Sequence, residues 1–305
     1  MSNRFRTLCS AILIGRLSNR GVFHNWTVEP ADERDIEIVC HMRAATLDLF
    51  FKPSPAIPFL ALDEASSVDA VFSEWAPGDF WFPLQSSAIR RCNWRSNVIV
   101  ERDSAESILE CTADTILLEH SSALKPASMS EQEHDAALTE IYAAHFEPLE
   151  IYSRVCDELA TGAPYVGLHV RRTDHLKYVR DADIRVQDWV ALIRQHVRTD
   201  ERLYLCSDDL PFAARIAAAL GGHRILTVDA SRAFDPRTKA FLEFLLLSRA
   251  TRIYGTIGSS FSKEASRFGG TPILVCASIQ AGLFQRLKSL IGLDRGDELG
   301  IRLVT

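Results

Sequence analysis

From residue 161 onward the apolar positions switch regularly between two periods. Tyr165 to Val170 is an apolar, β-branched run behind Pro164, the pattern of a buried strand. Val186, Trp189, Val190, Ile193 and Val197 then recur at helical spacing. Residues 202–206 read as a strand and 210–220 as a helix, with Pro211 near its first turn and Gly221-Gly222 past its end. A strand over 223–228 and a helix over 237–250 follow, the latter turning Phe241, Leu242, Leu245 and Leu246 inward. A strand over 252–255 runs through Gly258-Ser259-Ser260-Phe261-Ser262 into a helix over 263–268. Residues 272–276 are expected to close the sheet, and 279–291 to form a terminal helix. Strand and helix alternate at roughly 20–30 residues per unit, which predicts βαβ units with right-handed crossovers and a parallel sheet.

The first 160 residues are less regular. Leu8 to Ile14 is apolar behind Arg4 and Arg6, as in a signal peptide. The run is short and continues into Gly15-Arg16-Leu17-Ser18-Asn19-Arg20 without a small-x-small site, so it is expected to be the first buried strand. Gly15 would then make a tight turn, with Ser18 and Asn19 as N-caps of a following helix. Short strands are predicted at 36–39, 58–62, 97–100 and 115–118, and helices at 131–146 and 148–159. The second helix places Ile151, Val155 and Leu159 on one face. Trp75, Phe80, Trp81, Phe82 and Trp94 crowd a Pro- and Gly-containing stretch that reads equally well as a core plug or an acceptor platform. The expected division is a domain over 1–160 and another over 161–305.

Composition narrows the class. With 305 residues, 47% hydrophobic residues and a formal charge of -6, this is a globular chain of about two domains with nothing that suggests nucleic acid as a partner. Its seven cysteines are odd in number and lack a C-x-x-C pair, which fits reduced thiols and a cytoplasmic location. No stretch is long enough to span a bilayer, and a peripheral membrane contact stays open.

Polar residues collect where the predicted strands end. His169 and Arg171 follow one strand, Ser207-Asp208-Asp209 the next, then Asp229, then the Gly258 to Ser262 turn. In a parallel sheet all of these fall on one edge, where ligands bind. Residues i and i+2 of a strand share a side, so His169 and Arg171 face together. Arg172 faces away and is expected to be structural, paired with Asp174. A guanidinium fits phosphate oxygens two at a time. A serine turn opening a helix offers hydroxyls and N–H groups, so Ser259 and Ser260 suit the same phosphate. The Asp208 carboxylate matches the paired donors of guanine, with one of Asp208 and Asp209 expected to cap the helix over 210–220. No G-x-G-x-x-G follows the first strand, and no G-x-x-x-x-G-K-[ST] or G-x-S-x-G is present; these absences disfavour NAD enzymes, P-loop NTPases and serine hydrolases. No acidic cluster supports a metal site.

His169-Val170-Arg171-Arg172-Thr173-Asp174, Ser207-Asp208-Asp209 and Gly255 to Ser262 stand in an order and spacing that resemble the GDP-fucose-dependent α1,2-, α1,6- and protein O-fucosyltransferase superfamily. The first motif is most similar to the α1,6 branch that includes the Nod-factor enzymes. The resemblance covers the second half, with the Gly15 to Arg20 turn similar to the one opening the family's first domain. It implies an α/β, GT-B-like protein, two Rossmann-like domains with parallel sheets facing across a cleft. GDP-fucose would be the donor, with no cofactor or metal, and a glycan or glycoconjugate hydroxyl would be the acceptor in an inverting transfer. It also implies that His169 meets the guanine or ribose-phosphate edge, Arg171 the β-phosphate, Asp208 the guanine and Ser259 and Ser260 the phosphates. Phe261 would line the base pocket and Asn19 would lie near the phosphates or fucose. The branch carries lysine where this chain has His175, which leaves the linkage open and the general base between His175 and Asp174. Transfer from another nucleotide sugar, or a non-catalytic nucleotide-sugar- or glycan-binding role, are the alternatives.

Overall fold

Helical spacing decides the first element. A computed structural model describes residues 2–24, 46–59, 69–73, 99–102, 104–119, 123–160, 162–173, 175–177, 179, 182–221, 224–228, 234–278 and 301–304. Ser2–Leu17 is a helix (α1), not the strand expected over 8–14. Phe5, Leu8, Cys9, Ile12 and Leu13 are buried at i, i+3, i+4, i+7 and i+8. The run looked continuous because α1 is covered on more than one side. Phe5 meets Phe51, Tyr142 and Phe146 edge-on, while Ile14 joins Phe72 and Ile108 in a second cluster. The Gly15 to Arg20 turn ends this helix and caps no other: the Ser18 and Arg20 N–H groups donate to the Ile14 and Gly15 carbonyls, and Asn19 takes a left-handed φ of 54°.

The chain divides into two compact units, Met1–Leu149 and Glu150–Thr305. In the first, strands β1 (Ala70–Ser73), β2 (Ile99–Arg102) and β3 (Ile116–Glu119) form a parallel sheet in the order β2-β1-β3, with helix α2 (Ala105–Glu110) between β2 and β3. Helix α3 (Glu131–His145) opens with a capping box in which the Ser130 hydroxyl accepts from the Glu133 N–H and the Glu133 carboxylate accepts from the Ser130 N–H. Ser130→Ala is expected to cost about 1 kcal/mol of unit stability, read by denaturant melting. The strand expected at 36–39, most of that at 58–62, the aromatic stretch 75–94 and the terminal helix 279–291 lie outside the described residues.

The second unit opens with α4 (Glu150–Ala160). Its buried face carries Tyr152 and Cys156, one position round from the expected one, and Ile151 is exposed. The Tyr152 ring sets this rotation by packing edge-on against Phe241 at 5.0 Å. Six parallel strands follow the order β6-β5-β4-β7-β8-β9: β4 (Tyr165–Val170), β5 (Arg202–Ser207), β6 (Arg224–Leu226), β7 (Ile253–Thr256), β8 (Ile273–Ser278) and β9 (Ile301–Val304). Strand β9 pairs outside β8, so the 272–276 segment does not close the sheet.

All of β4 is buried, as a strand covered on both faces must be. Val166, Leu168 and Val170 face a core built with α5 (Val186–His196) and α6 (Leu210–Leu220). On the opposite face Gly167 admits α7 (Pro236–Ser248): a Cβ there would lie 3.0 Å from Leu247 and 3.3 Å from Ala250. From β4 the chain winds through β5 to β6, and α7 carries it back to β7 on the other side of β4. The strand order therefore reverses between β4 and β7, and the crevice beyond their C-terminal ends is the place such a sheet offers to a ligand.

Candidate functional site

Register sets the site. His169 pairs with Cys206 of β5 on one side and Gly255 of β7 on the other, so three strand tips carry their polar residues to one level. The Thr256 hydroxyl joins two of them, donating to the His169 carbonyl at 3.2 Å and accepting from the Arg171 N–H at 3.0 Å. Nothing in the local pattern marked Thr256 as functional; its role depends on a neighbour 85 residues away.

Asp208 is tied to the loop after β4. Its Oδ1 accepts from the Arg172 N–H at 2.8 Å, its Oδ2 accepts from the Thr173 hydroxyl, and the Arg171 Nε lies 3.3 Å from Oδ2. Both carboxylate oxygens are thus engaged with the loop after β4, and the group orients Arg171. Asp209 is the helix cap of the pair, accepting from the Phe212 N–H at 2.9 Å. Arg172 is structural: it reaches Asp183 at 3.1 Å and Asp209 at 3.4 Å, with its guanidinium 3.9 Å from the Phe212 ring centre. Among the described residues its carboxylate partners are these two; Asp174, like Asp229, lies outside them.

His169 is buried, with its Nδ1 3.4 Å from the Ser259 hydroxyl and its ring 5.1 Å from that of Phe261. Burial, reinforced by the neighbouring Arg171 and His175, lowers its pKa to about 3. It is a neutral, flat surface at neutral pH. Phe261 is held in turn by Phe244, edge-on at 5.8 Å.

Helix α8 (Ser260–Gly269) begins at this edge, with Ser259 at its N-cap and no side-chain cap bond there. Gly258 makes the turn with φ of +73°, a backbone setting that favours glycine. Gly255 lets α8 approach: a Cβ on it would lie 2.5 Å from the Ser262 Oγ, which is itself buried and unpartnered. The open first turn of α8 presents N–H donors and the positive end of the helix dipole beside the Arg171 loop. His175 closes the group, its Nε2 2.7 Å from the Ile257 carbonyl oxygen.

His169, Arg171, His175, Asp208, Ser259, Ser260 and Phe261 therefore converge on one sheet edge of the second unit. Asn19 belongs to the first unit, beside a cavity of about 360 Å³ that Arg16, Arg20 and His145 also line. Among the described residues no group of three His, Cys, Asp or Glu side chains could hold a metal. No described helix is long and apolar enough to cross a membrane.

The sheet order and the switch point give the second unit a Rossmann-like α/β fold. No protein-family model and no curated protein sequence matches the chain. Solved structures do. POFUT1 in complex with GDP is 11% identical, with 90% of this chain and 95% of that one covered at a TM-score of 0.56. POFUT1 in its apo form gives 11% identity, 90% and 94% coverage and a TM-score of 0.55. NodZ α1,6-fucosyltransferase soaked with GDP-fucose gives 16% identity, 90% and 91% coverage and a TM-score of 0.54. The chain has the fold of these fucosyltransferases.

Proposed function

We propose that this protein is a fucosyltransferase that moves fucose from GDP-fucose to a saccharide or protein hydroxyl with inversion at the anomeric carbon. The observation that carries the reading is the convergence of Arg171, fixed between Thr256 and Asp208, with the open N-terminus of α8 across the β4–β7 switch point. The GDP and GDP-fucose complexes of the similar structures support the choice of donor.

In the transfer, the acceptor oxygen bonds to the anomeric carbon as the bond from that carbon to the β-phosphate oxygen breaks. The electron pair leaves with GDP and the acceptor proton goes to a base or to water. Negative charge grows on the diphosphate, so the catalytic demand is for fixed positive charge in place beforehand. Arg171 supplies a full charge, and the first N–H groups of α8 with the Ser259 hydroxyl supply donors, an arrangement that meets the demand without a divalent ion. His169 and Phe261 offer an uncharged flat wall suited to the nucleoside. Asp208 holds Arg171 in place. The buried thiols of Cys156 and Cys276, each pushed up to about 12 by burial, suit the reducing, cytoplasmic setting that belongs to this reading.

The main alternative is a different nucleotide sugar on the same fold. GDP at a hundredfold excess over its Kd is expected to stabilise the protein by about 2.7 kcal/mol, a rise of several degrees in Tm. UDP at the same concentration is expected to give none. Stabilisation by UDP and not by GDP would move the reading to the alternative donor; stabilisation by neither would remove it.

A further inference from the structure

The loop that carries Arg171 is fastened on both sides. On the β5 side the fastener is Asp208, which takes the Arg172 N–H, the Thr173 hydroxyl and the Arg171 Nε. On the β7 side Thr256 takes the Arg171 N–H, and further along the loop the fastener among the described residues is the His175 imidazole. His175 begins a one-turn 3-10 segment, His175–Lys177, anchored by the Leu176 N–H to the Arg172 carbonyl at 3.0 Å and by the Val179 N–H to the His175 carbonyl at 2.9 Å. From there the ring crosses to the turn between β7 and α8. A carbonyl oxygen can only accept, so the Nε2 that meets the Ile257 oxygen at 2.7 Å carries a proton. The same ring lies against Gly258, where a Cβ would be 3.2 Å from its Cε1 and 3.4 Å from its Nε2.

The geometry points to His175 as a positioning residue that staples the Arg171 loop to the Ile257–Gly258 turn, so that guanidinium and helix N-terminus meet the donor diphosphate as one preorganised unit. This rests on the reading that the edge binds GDP-fucose. The turn aims the first N–H groups of α8, and the loop aims Arg171; each is useful only at a fixed distance from the other. Without the staple, the donor must order the loop as it binds and loses affinity by that amount. Acting as the base for the acceptor hydroxyl is a different role. It needs a nitrogen lone pair facing the acceptor, whereas the staple needs only an N–H donor at the reach of Nε2 and enough side chain to cover Gly258.

Glutamine separates the two roles, because its side-chain amide reaches about as far as Nε2 and donates, but cannot take up a proton near neutral pH. Leucine fills the space and does neither. The experiment measures GDP affinity by calorimetry and GDP-fucose turnover for the full chain and for His175→Gln and His175→Leu, with ligand-free melting of each. The staple predicts that His175→Leu weakens GDP binding and raises the donor KM by about tenfold or more with kcat within about threefold, and that His175→Gln stays within about threefold of the parent in every constant. A loss of about a hundredfold or more in kcat for His175→Gln at unchanged GDP affinity would make His175 a base and overturn the staple. Parental GDP affinity and KM in His175→Leu would overturn it as well. If His175→Leu melts early, the near-parental constants required of His175→Gln still decide. If the parent protein binds no GDP at all, the donor assignment falls first and takes the staple with it.

Discussion

Arg171→Ala is expected to lower kcat/KM for GDP-fucose by a hundredfold or more, about 3 kcal/mol of barrier, while the ligand-free protein melts close to the parent. The size follows from the role proposed for the side chain, a fixed full charge where the departing diphosphate would gather its own, held by the Asp208 carboxylate at 3.3 Å. The tolerance of the fold follows from where it lies, since the Arg171 side chain is 35% exposed. Its backbone N–H bond to Thr256 survives the substitution. The neighbouring position should behave in the opposite way. Arg172 packs over Phe212 and bridges Asp183 and Asp209, so Arg172→Ala should cost stability before it costs chemistry. Transfer and donor hydrolysis followed by mass spectrometry would check the first variant; near-parental turnover would remove Arg171 from the mechanism.

Glu243→Gln is expected to stabilise the protein, and to do so more as the pH rises. Glu243 sits on α7 with its side chain 20% exposed and Lys239 4.0 Å away. Burial dominates and lifts its carboxyl from an ordinary 4.5 to about 7. For a raised carboxyl the stabilising contribution is complete below the ordinary value and is lost as pH climbs through the folded one. At ~1.4 kcal/mol per pH unit the interval amounts to about 3 kcal/mol by pH 8. Glutamine keeps the shape and never ionises, so its advantage should be large at pH 8 and small at pH 4.5.

His169 slopes the other way. Its folded value of about 3 lies below the ordinary 6.5, so its contribution is complete above 6.5 and is lost as pH falls towards 3, again at ~1.4 kcal/mol per unit. Between 4.5 and 6.5 the two slopes oppose each other, and the parent's stability should change little through that range on their account. Urea unfolding at pH 4, 5.5 and 8 measures all of this. A Glu243→Gln variant less stable than the parent at pH 8 would refute the burial account.

The second unit was largely legible because its signals are local. Helix α6 spans Leu210–Leu220 as expected, since Asp209 caps it, Pro211 sits in its first turn and Gly221 ends it. Strands β4 to β8 were marked in the same way, by apolar runs bounded by Gly, Pro and Asp, and β9 was not foreseen. Helix α1 was misread because partners on more than one side erased the polar face that reveals a helical period. The residues that meet at the β4–β7 edge were legible as a set, and the bonds among them were not. A carboxylate after a strand looks the same whether it serves a base or a neighbouring loop, and the Asp208 bond to Arg172 spans 36 residues. The contact between His175 and Ile257 spans 82. Pairings of that length are settled by the sheet order, which no short stretch of sequence contains.

The fit of Ser262 against Gly255 also has a bearing on how proteins of this shape diverge. A methyl group on the strand would push the start of α8 off the sheet, away from the place where it can serve an anion. The two positions therefore share one allotment of volume. A lineage that enlarges the first must shrink the second in the same step or lose the close seat of α8 on the sheet, so the pair should drift together across distant sequences even where little else is held in common.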